Sequence, residues 1–93
     1  MTSKRFASVW DAIEDDPDLA ENMKLRSMLM MTLADHIRDK KLSQSKAAKL
    51  LRVTQPRVSD LMRGKIELFG LDTLVTMLSA AGLHVEMRVS RAA

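Results

Sequence analysis

The residues with the most evident chemistry lie between Thr54 and Lys65, where many side chains can donate and accept hydrogen bonds. From the spacing of the apolar residues, the outward positions of this stretch are predicted to be Gln55, Arg57, Ser59, Asp60 and Arg63. Amide, guanidinium, hydroxyl and carboxylate groups complement the donors and acceptors on the edges of nucleic-acid bases. We therefore interpret these five residues as candidate base contacts.

The charge around this stretch also favours a nucleic-acid partner. Residues 41–65 contain seven Lys and Arg against Asp60 alone, a balance of +6, whereas residues 1–40 contain six against eight acidic residues, a balance of −2. Clustered positive charge attracts the phosphate backbone. A basic helix surface is often only a solvated face, so the spacing of the apolar residues has to decide.

Two short helices separated by a turn are predicted to position these side chains. Ser43 and Thr54 can each cap a helix, because each follows an apolar residue and has another apolar residue four positions later. Pro56 fits the first turn of a helix and would break its interior. The chain should therefore turn between Arg52 and Thr54, which predicts a helix-turn-helix over residues 43–64. The apolar cluster joining the two helices is expected to comprise Ala47, Ala48, Leu51, Val53, Val58 and Leu61.

Two further helices are predicted before this motif. The first spans Phe6 to Glu14, although an extended conformation of residues 4–7 remains an alternative. The second runs from Pro17 to about Lys40, with Asp16 as its cap. Its apolar residues recur every fourth position, at Leu25, Leu29, Leu33 and Ile37.

A fifth helix is predicted from Leu71 to Ala81, with Gly82 as a left-handed cap. The pattern then becomes alternating, which predicts a β-strand over residues 83–90. A single strand leaves its backbone groups unpaired, so we expect it to pair with the same strand of a second copy. A frayed or helix-packed tail is the alternative. The expected dimer contacts are Leu83, Val85, Met87 and Val89.

Length and composition indicate one globular domain over residues 1–93, all-α apart from the strand. The sequence has no cysteine, and no secretory leader is recognisable, so we expect a cytoplasmic protein. The longest apolar run, Met28 to Met31, is far too short to span a membrane.

The motif resembles the helix-turn-helix repressors of the phage-repressor, or XRE, type. The shared features are Gln44, Ala48, Val53, Thr54-Gln55, Val58, Leu61 and Gly64-Lys65. One departure is Arg52, where such repressors usually have glycine. A Ser-Val-Trp-Asp-Ala-Ile segment near the N-terminus and the run from Thr54 to Leu61 are similar to HigA-type antitoxins and phage-associated regulators.

The resemblance implies a five-helix, phage-repressor-like domain that binds double-stranded DNA. It places the start of the second helix of the motif in the major groove, so Gln55 is the first candidate to read a base, and glutamine can bond adenine in a bidentate way. Gln44, Thr54 and Lys65 would contact phosphates. For each of these residues, the alternative interpretation is a polar side chain that faces solvent and contacts no partner.

The resemblance further implies a transcriptional repressor that binds a palindromic operator as a homodimer. The alternative it suggests is a HigA-like antitoxin that also neutralises an mRNA-cleaving protein toxin.

We expect neither catalysis nor a cofactor. His36 and His84 are far apart and lack metal-ligand spacing, and the cluster of Asp15, Asp16 and Asp18 is interpreted as linker and cap. No metal site is therefore predicted.

Overall fold

The computed structural model describes residues 16–91, so the predicted helix from Phe6 to Glu14 lies outside the described part of the chain. Residues 16–91 form a helix-turn-helix fold made of α-helices and one short 3-10 turn. This range contains four α-helices and no strand, so the predicted C-terminal strand is wrong and the predicted total of five helices is not reached within residues 16–91. The elements are α1 (Pro17–Asp39), α2 (Gln44–Leu51), α3 (Gln55–Met62), the 3-10 turn (Ile66–Leu68) and α4 (Leu71–Ala80).

Side-chain caps fix the starts of the first three helices. The carboxylate of Asp16 accepts a hydrogen bond from the backbone N–H of Leu19 at 3.2 Å, and the hydroxyl of Ser43 accepts one from Lys46 at 3.1 Å. The Thr54 hydroxyl does the same for Arg57 at 3.4 Å. Each bond satisfies an amide that has no partner within its helix. The caps predicted from the sequence are confirmed.

All four α-helices end with the same backbone arrangement. A residue with positive φ follows the last helical turn, and the next N–H bonds back to a carbonyl five residues earlier, as in Leu83 to Leu78 and Val53 to Ala48. Glycine supplies the positive φ after α3 and α4. After α1 and α2 the same position is held by Lys41 and Arg52, with φ of 53° and 60°.

The left-handed conformation of Arg52 leads to a stability prediction. A non-glycine side chain at positive φ costs about 1–2 kcal/mol. Glycine avoids this cost, but its larger backbone entropy in the unfolded chain offsets part of the gain in stability. We expect Arg52→Gly to raise the free energy of unfolding by about 0.5–1 kcal/mol, measured by urea denaturation. The matched control is Lys49→Gly inside the same helix, which should lower it by about 1 kcal/mol. A loss of stability in both variants would contradict the strain at Arg52.

One apolar core joins the helices. Helix α1 packs mainly against α4, and α2 packs mainly against α3. The buried residues of the core are Met30, Leu33, Ile37, Ala47, Ala48, Leu51, Val58, Leu61, Phe69, Leu74, Met77 and Leu78. Because Val58 and Leu61 are fully or almost fully buried, α3 is held with its opposite face towards solvent.

The tail has no regular secondary structure over residues 83–91, which corrects the predicted strand. Its alternation is partly reflected in packing, because Leu83 and Val85 lie half-buried against the core while Met87 and Val89 are 80% and 87% exposed. Packing of the tail against the helices was the alternative left open by the sequence. It covers the apolar side chains of Leu83 and Val85 without requiring a second strand. Assignment of these four residues to a dimer contact stays a prediction.

None of the helices within residues 16–91 is both long enough and apolar enough to cross a membrane.

Candidate nucleic-acid interface

The outward face of α3, continued by its C-terminal cap residue Arg63, carries three polar residues in a row. Gln55, Ser59 and Arg63 follow one another at four-residue spacing, which places them on one side of the helix axis. Gln55 and Arg63 are exposed, and Ser59 is half-buried. Because Val58 lies on the buried side, this row points away from the core. The helix therefore presents amide, hydroxyl and guanidinium groups to solvent along most of its length.

Arg57 is placed differently from the other predicted base contacts. Its guanidinium donates a hydrogen bond to the backbone carbonyl of Leu68 at 3.1 Å, and it lies 4.4 Å from the centre of the Phe69 ring. A cation stacked over a ring is stabilised by the ring's quadrupole. In this conformation Arg57 connects α3 to the end of the 3-10 turn instead of extending outward.

Asp60 and Lys65, predicted to contact a base and a phosphate respectively, are brought together. The Lys65 ammonium lies 3.4 Å from a carboxylate oxygen of Asp60. Both side chains are half-buried, and the backbone N–H of Lys65 also bonds to the carbonyl of Asp60 at 3.1 Å. Together with Arg57, this pair gives α3 two polar connections to residues 65–69. The ion pair also neutralises Asp60, the one carboxylate within residues 41–65, which we call the basic block.

The N-termini of α2 and α3 expose the groups suited to phosphates. Gln44 and Gln55 are the first residues of their helices, and both are exposed, as is Thr54. The Thr54 oxygen accepts the capping bond, which leaves its O–H as a donor. Helix N-termini favour anions because their amides are unpaired and the helix dipole is positive there.

Most cations of the basic block remain available for an anionic partner. Within residues 16–91 the ion pairs are Arg38 with Asp35 and Lys65 with Asp60. The exposed cations of the block without such a pair are Lys41, Lys46, Lys49, Arg52 and Arg63. The surface around α2 and α3 is therefore strongly positive.

Sequence reasoning missed the contact of Arg57 with Phe69 and the exposed position of Pro56 beside Gln55. The helical period did contain a signal for Arg57, because it lies four residues before the buried Leu61 and hence at the border of the buried face. The position of Phe69 beside Arg57 depends on how the chain after α3 packs against that helix, and no local sequence pattern indicates it.

The two histidines are not brought together. His36 is half-buried near the end of α1, and His84 is exposed in the tail. In the described part of the chain, no group of three or more His, Asp or Glu side chains is arranged to hold a metal ion.

Comparisons with known proteins agree with this geometry. Residues 12–90 match a family described as helix-turn-helix domain. A solved structure named as an XRE-family transcriptional regulator superposes with a TM-score of 0.74 at 36% sequence identity. That match covers 82% of this chain and 84% of the other. No curated protein matches.

Proposed function

The chain belongs to the XRE-type helix-turn-helix family of DNA-binding transcriptional regulators, and we propose that it is a repressor that binds a palindromic operator as a homodimer. The observation that carries this proposal is the exposed polar face of α3, which lies within the basic block. An α-helix with such a face fits the major groove, where each base pair presents a distinct pattern of donors and acceptors. The fold and the family are those of a DNA-binding regulator.

Within this proposal the residues of α3 have different roles. Gln55 bonds the edge of an adenine, and Arg63 reaches a guanine or a phosphate. Ser59 permits close approach of the helix, because its side chain is small. Arg57 positions α3, since its guanidinium is already engaged by Leu68 and Phe69. Asp60 holds Lys65 in place through their ion pair, or accepts a hydrogen bond from the amino group of a cytosine after that ion pair opens.

Selection of bound duplexes from a random pool, followed by salt titration of the best sequence, tests the proposal. We expect an enriched inverted repeat with half-sites about one helical turn apart. The logarithm of the affinity should fall linearly with the logarithm of salt concentration, by about 0.9 for each phosphate neutralised. Binding with neither sequence preference nor salt dependence would refute a role as a repressor.

Lys65→Ala should weaken binding to all sequences alike, because a phosphate contact carries no base information. The salt slope should decrease by about 1 for each lost contact, measured by fluorescence anisotropy with specific and random duplexes. Arg88→Ala, which removes an exposed cation outside the basic block, is the control and should leave both affinities nearly unchanged. A loss confined to the specific duplex would instead assign Lys65 to base reading.

The antitoxin role is a second candidate, favoured by the exposed carboxylates of α1, such as Asp18, Glu21 and Asp35. Exposed carboxylates complement the positive surface of a basic nuclease. A small toxin-like reading frame directly beside the gene would favour this role, and co-purification of its product with the chain would test it.

A further inference from the structure

Helix α1 has a second regular face besides the one that enters the core. Six residues on its solvent side follow one another at alternating spacings of three and four, and all six are exposed. We call them the outer stripe: Glu21, Lys24, Met28, Met31, Asp35 and Arg38. In helices that pair along their length, the residues at the contact follow one another at alternating spacings of three and four.

The centre of the outer stripe is apolar and unusually exposed. Met28 and Met31 have 63% and 61% of their surface accessible, although the same helix buries Met30 almost completely. Leu25, beside the stripe, is 41% exposed as well. Exposed apolar side chains grouped on one helix face indicate a contact surface, and methionine adapts its shape to a partner.

The charges of the outer stripe are arranged so that the stripe complements itself in reverse. Along the helix the six positions are negative, positive, apolar, apolar, negative and positive. Read from the other end, every charge has the opposite sign and the apolar pair stays in place. An antiparallel copy would therefore place opposite charges together at every charged position. The facing pairs are Glu21 with Arg38, Lys24 with Asp35, and Met28 with Met31, each formed twice.

We propose that the outer stripe of α1 docks on the outer stripe of a second copy of this chain, in antiparallel orientation. The two-fold axis crosses the helix pair at the level of Leu29 and Met30. Parallel pairing is disfavoured, because it would place Glu21 against Glu21 and Lys24 against Lys24. The charges thus select the orientation by repulsion as well as by attraction.

The ion pair already present on the stripe is compatible with docking. Arg38 and Asp35 are bonded at 3.3 Å, yet their side chains remain 60% and 68% exposed. A carboxylate accepts several hydrogen bonds, so Asp35 can keep Arg38 and also receive the second copy's Lys24. The pair then becomes part of a four-residue charged cluster at each end of the methionine contact.

This inference names the surface that forms the homodimer of the proposed function. The dyad relates the two α3 helices by two-fold symmetry, and an inverted repeat in DNA has the same symmetry. The tests below contain no DNA, so their failure would leave DNA binding by the single chain unaffected.

Charge reversal and mixing test the pairing by sedimentation equilibrium at low salt. In a dimer of Lys24→Glu chains, each new glutamate faces Asp35 of the other copy; in a dimer of Asp35→Lys chains, each new lysine faces Lys24. Both arrangements place like charges together, so each variant alone should dimerise at least about tenfold more weakly than the unmodified chain. In an equimolar mixture every facing pair is attractive again, and we expect dimerisation within about threefold of the original. Circular dichroism should show unchanged helix content, because both positions are exposed.

Met87→Ser combined with Val89→Ser tests the tail, which the sequence predicted as the dimer contact and which this proposal replaces with the outer stripe of α1. We expect it to leave the dimer intact. The inference is overturned if the unmodified chain remains monomeric, if the two charge variants associate normally, if mixing fails to restore the dimer, or if the tail variant alone dissociates it.

Cross-linking tests the orientation independently, and the absence of native cysteine makes each introduced thiol unique. Chains with Met28→Cys and chains with Met31→Cys are mixed and oxidised. Antiparallel pairing predicts mainly the mixed disulfide between the two variants. Disulfides formed only between identical variants would indicate parallel pairing and overturn the inference.

Discussion

Phe69→Ala should lower the free energy of unfolding by about 3–5 kcal/mol, the range for deleting a large aromatic side chain from a well-packed core. Phe69 is 0% exposed and lies between the end of the 3-10 turn and the start of α4. Its ring also supports the guanidinium of Arg57 at 4.4 Å, so the substitution removes a contact of α3 as well as core volume. Urea denaturation followed by circular dichroism measures the loss.

Phe69→Leu separates the two effects. Leucine fills most of the volume and should cost much less stability than alanine, but it offers no aromatic face to Arg57. If the ring orients α3, Phe69→Leu should weaken binding to the selected operator more than binding to random DNA, although the protein is folded. A loss below about 1 kcal/mol for Phe69→Ala would contradict tight packing at this position.

The starts and ends of the helices could be predicted from the sequence because their determinants are local. A hydroxyl or carboxylate three residues before an unpaired amide forms the cap, as at Ser43, and Gly82 permits the left-handed turn after α4. The long helix was predicted to end near Lys40 and ends at Asp39. Even Arg52, a departure from the usual glycine, adopts the conformation that glycine would adopt.

The tail could not be predicted because its structure depends on distant residues. Alternating apolar residues indicate which side chains seek burial, but they do not specify whether a strand or a helix pair covers them. Here the side chains of Leu83 and Val85 pack on the core formed by the helices. The local pattern was therefore informative about burial and misleading about secondary structure.

The polar contacts of the candidate interface could not be predicted from local sequence patterns either. The sequence identified which residues of α3 and its C-terminal cap lie outside the apolar cluster, and Gln55 and Arg63 are indeed exposed. It gave no means of distinguishing Arg57, which bonds to Leu68 eleven residues later, or of pairing Asp60 with Lys65. Long side chains reach partners on whichever element is packed nearby, so their contacts follow from the tertiary fold.

Gln55→Ala should abolish discrimination at one base pair of each half-site while leaving non-specific binding nearly intact. A bidentate bond between glutamine and adenine contributes about 1–3 kcal/mol of discrimination, which corresponds to roughly 5- to 150-fold in relative affinity. Gln55 can act in this way because it is the first residue of α3, is exposed, and projects from the end of the helix whose other face is buried. Competition between the selected operator and single-base variants measures the effect.

Gln44→Ala provides the matched comparison, because Gln44 is also an exposed glutamine at the first position of an eight-residue helix. The two substitutions remove the same side chain from the same helical position, so their intrinsic costs in helix stability should be similar. If Gln44 contacts a phosphate, its loss weakens the operator and all single-base variants by the same factor. Only Gln55→Ala should then bind with equal affinity to operators that differ in the base at one position. Equal behaviour of the two variants would mean that α3 does not enter the groove by its N-terminus.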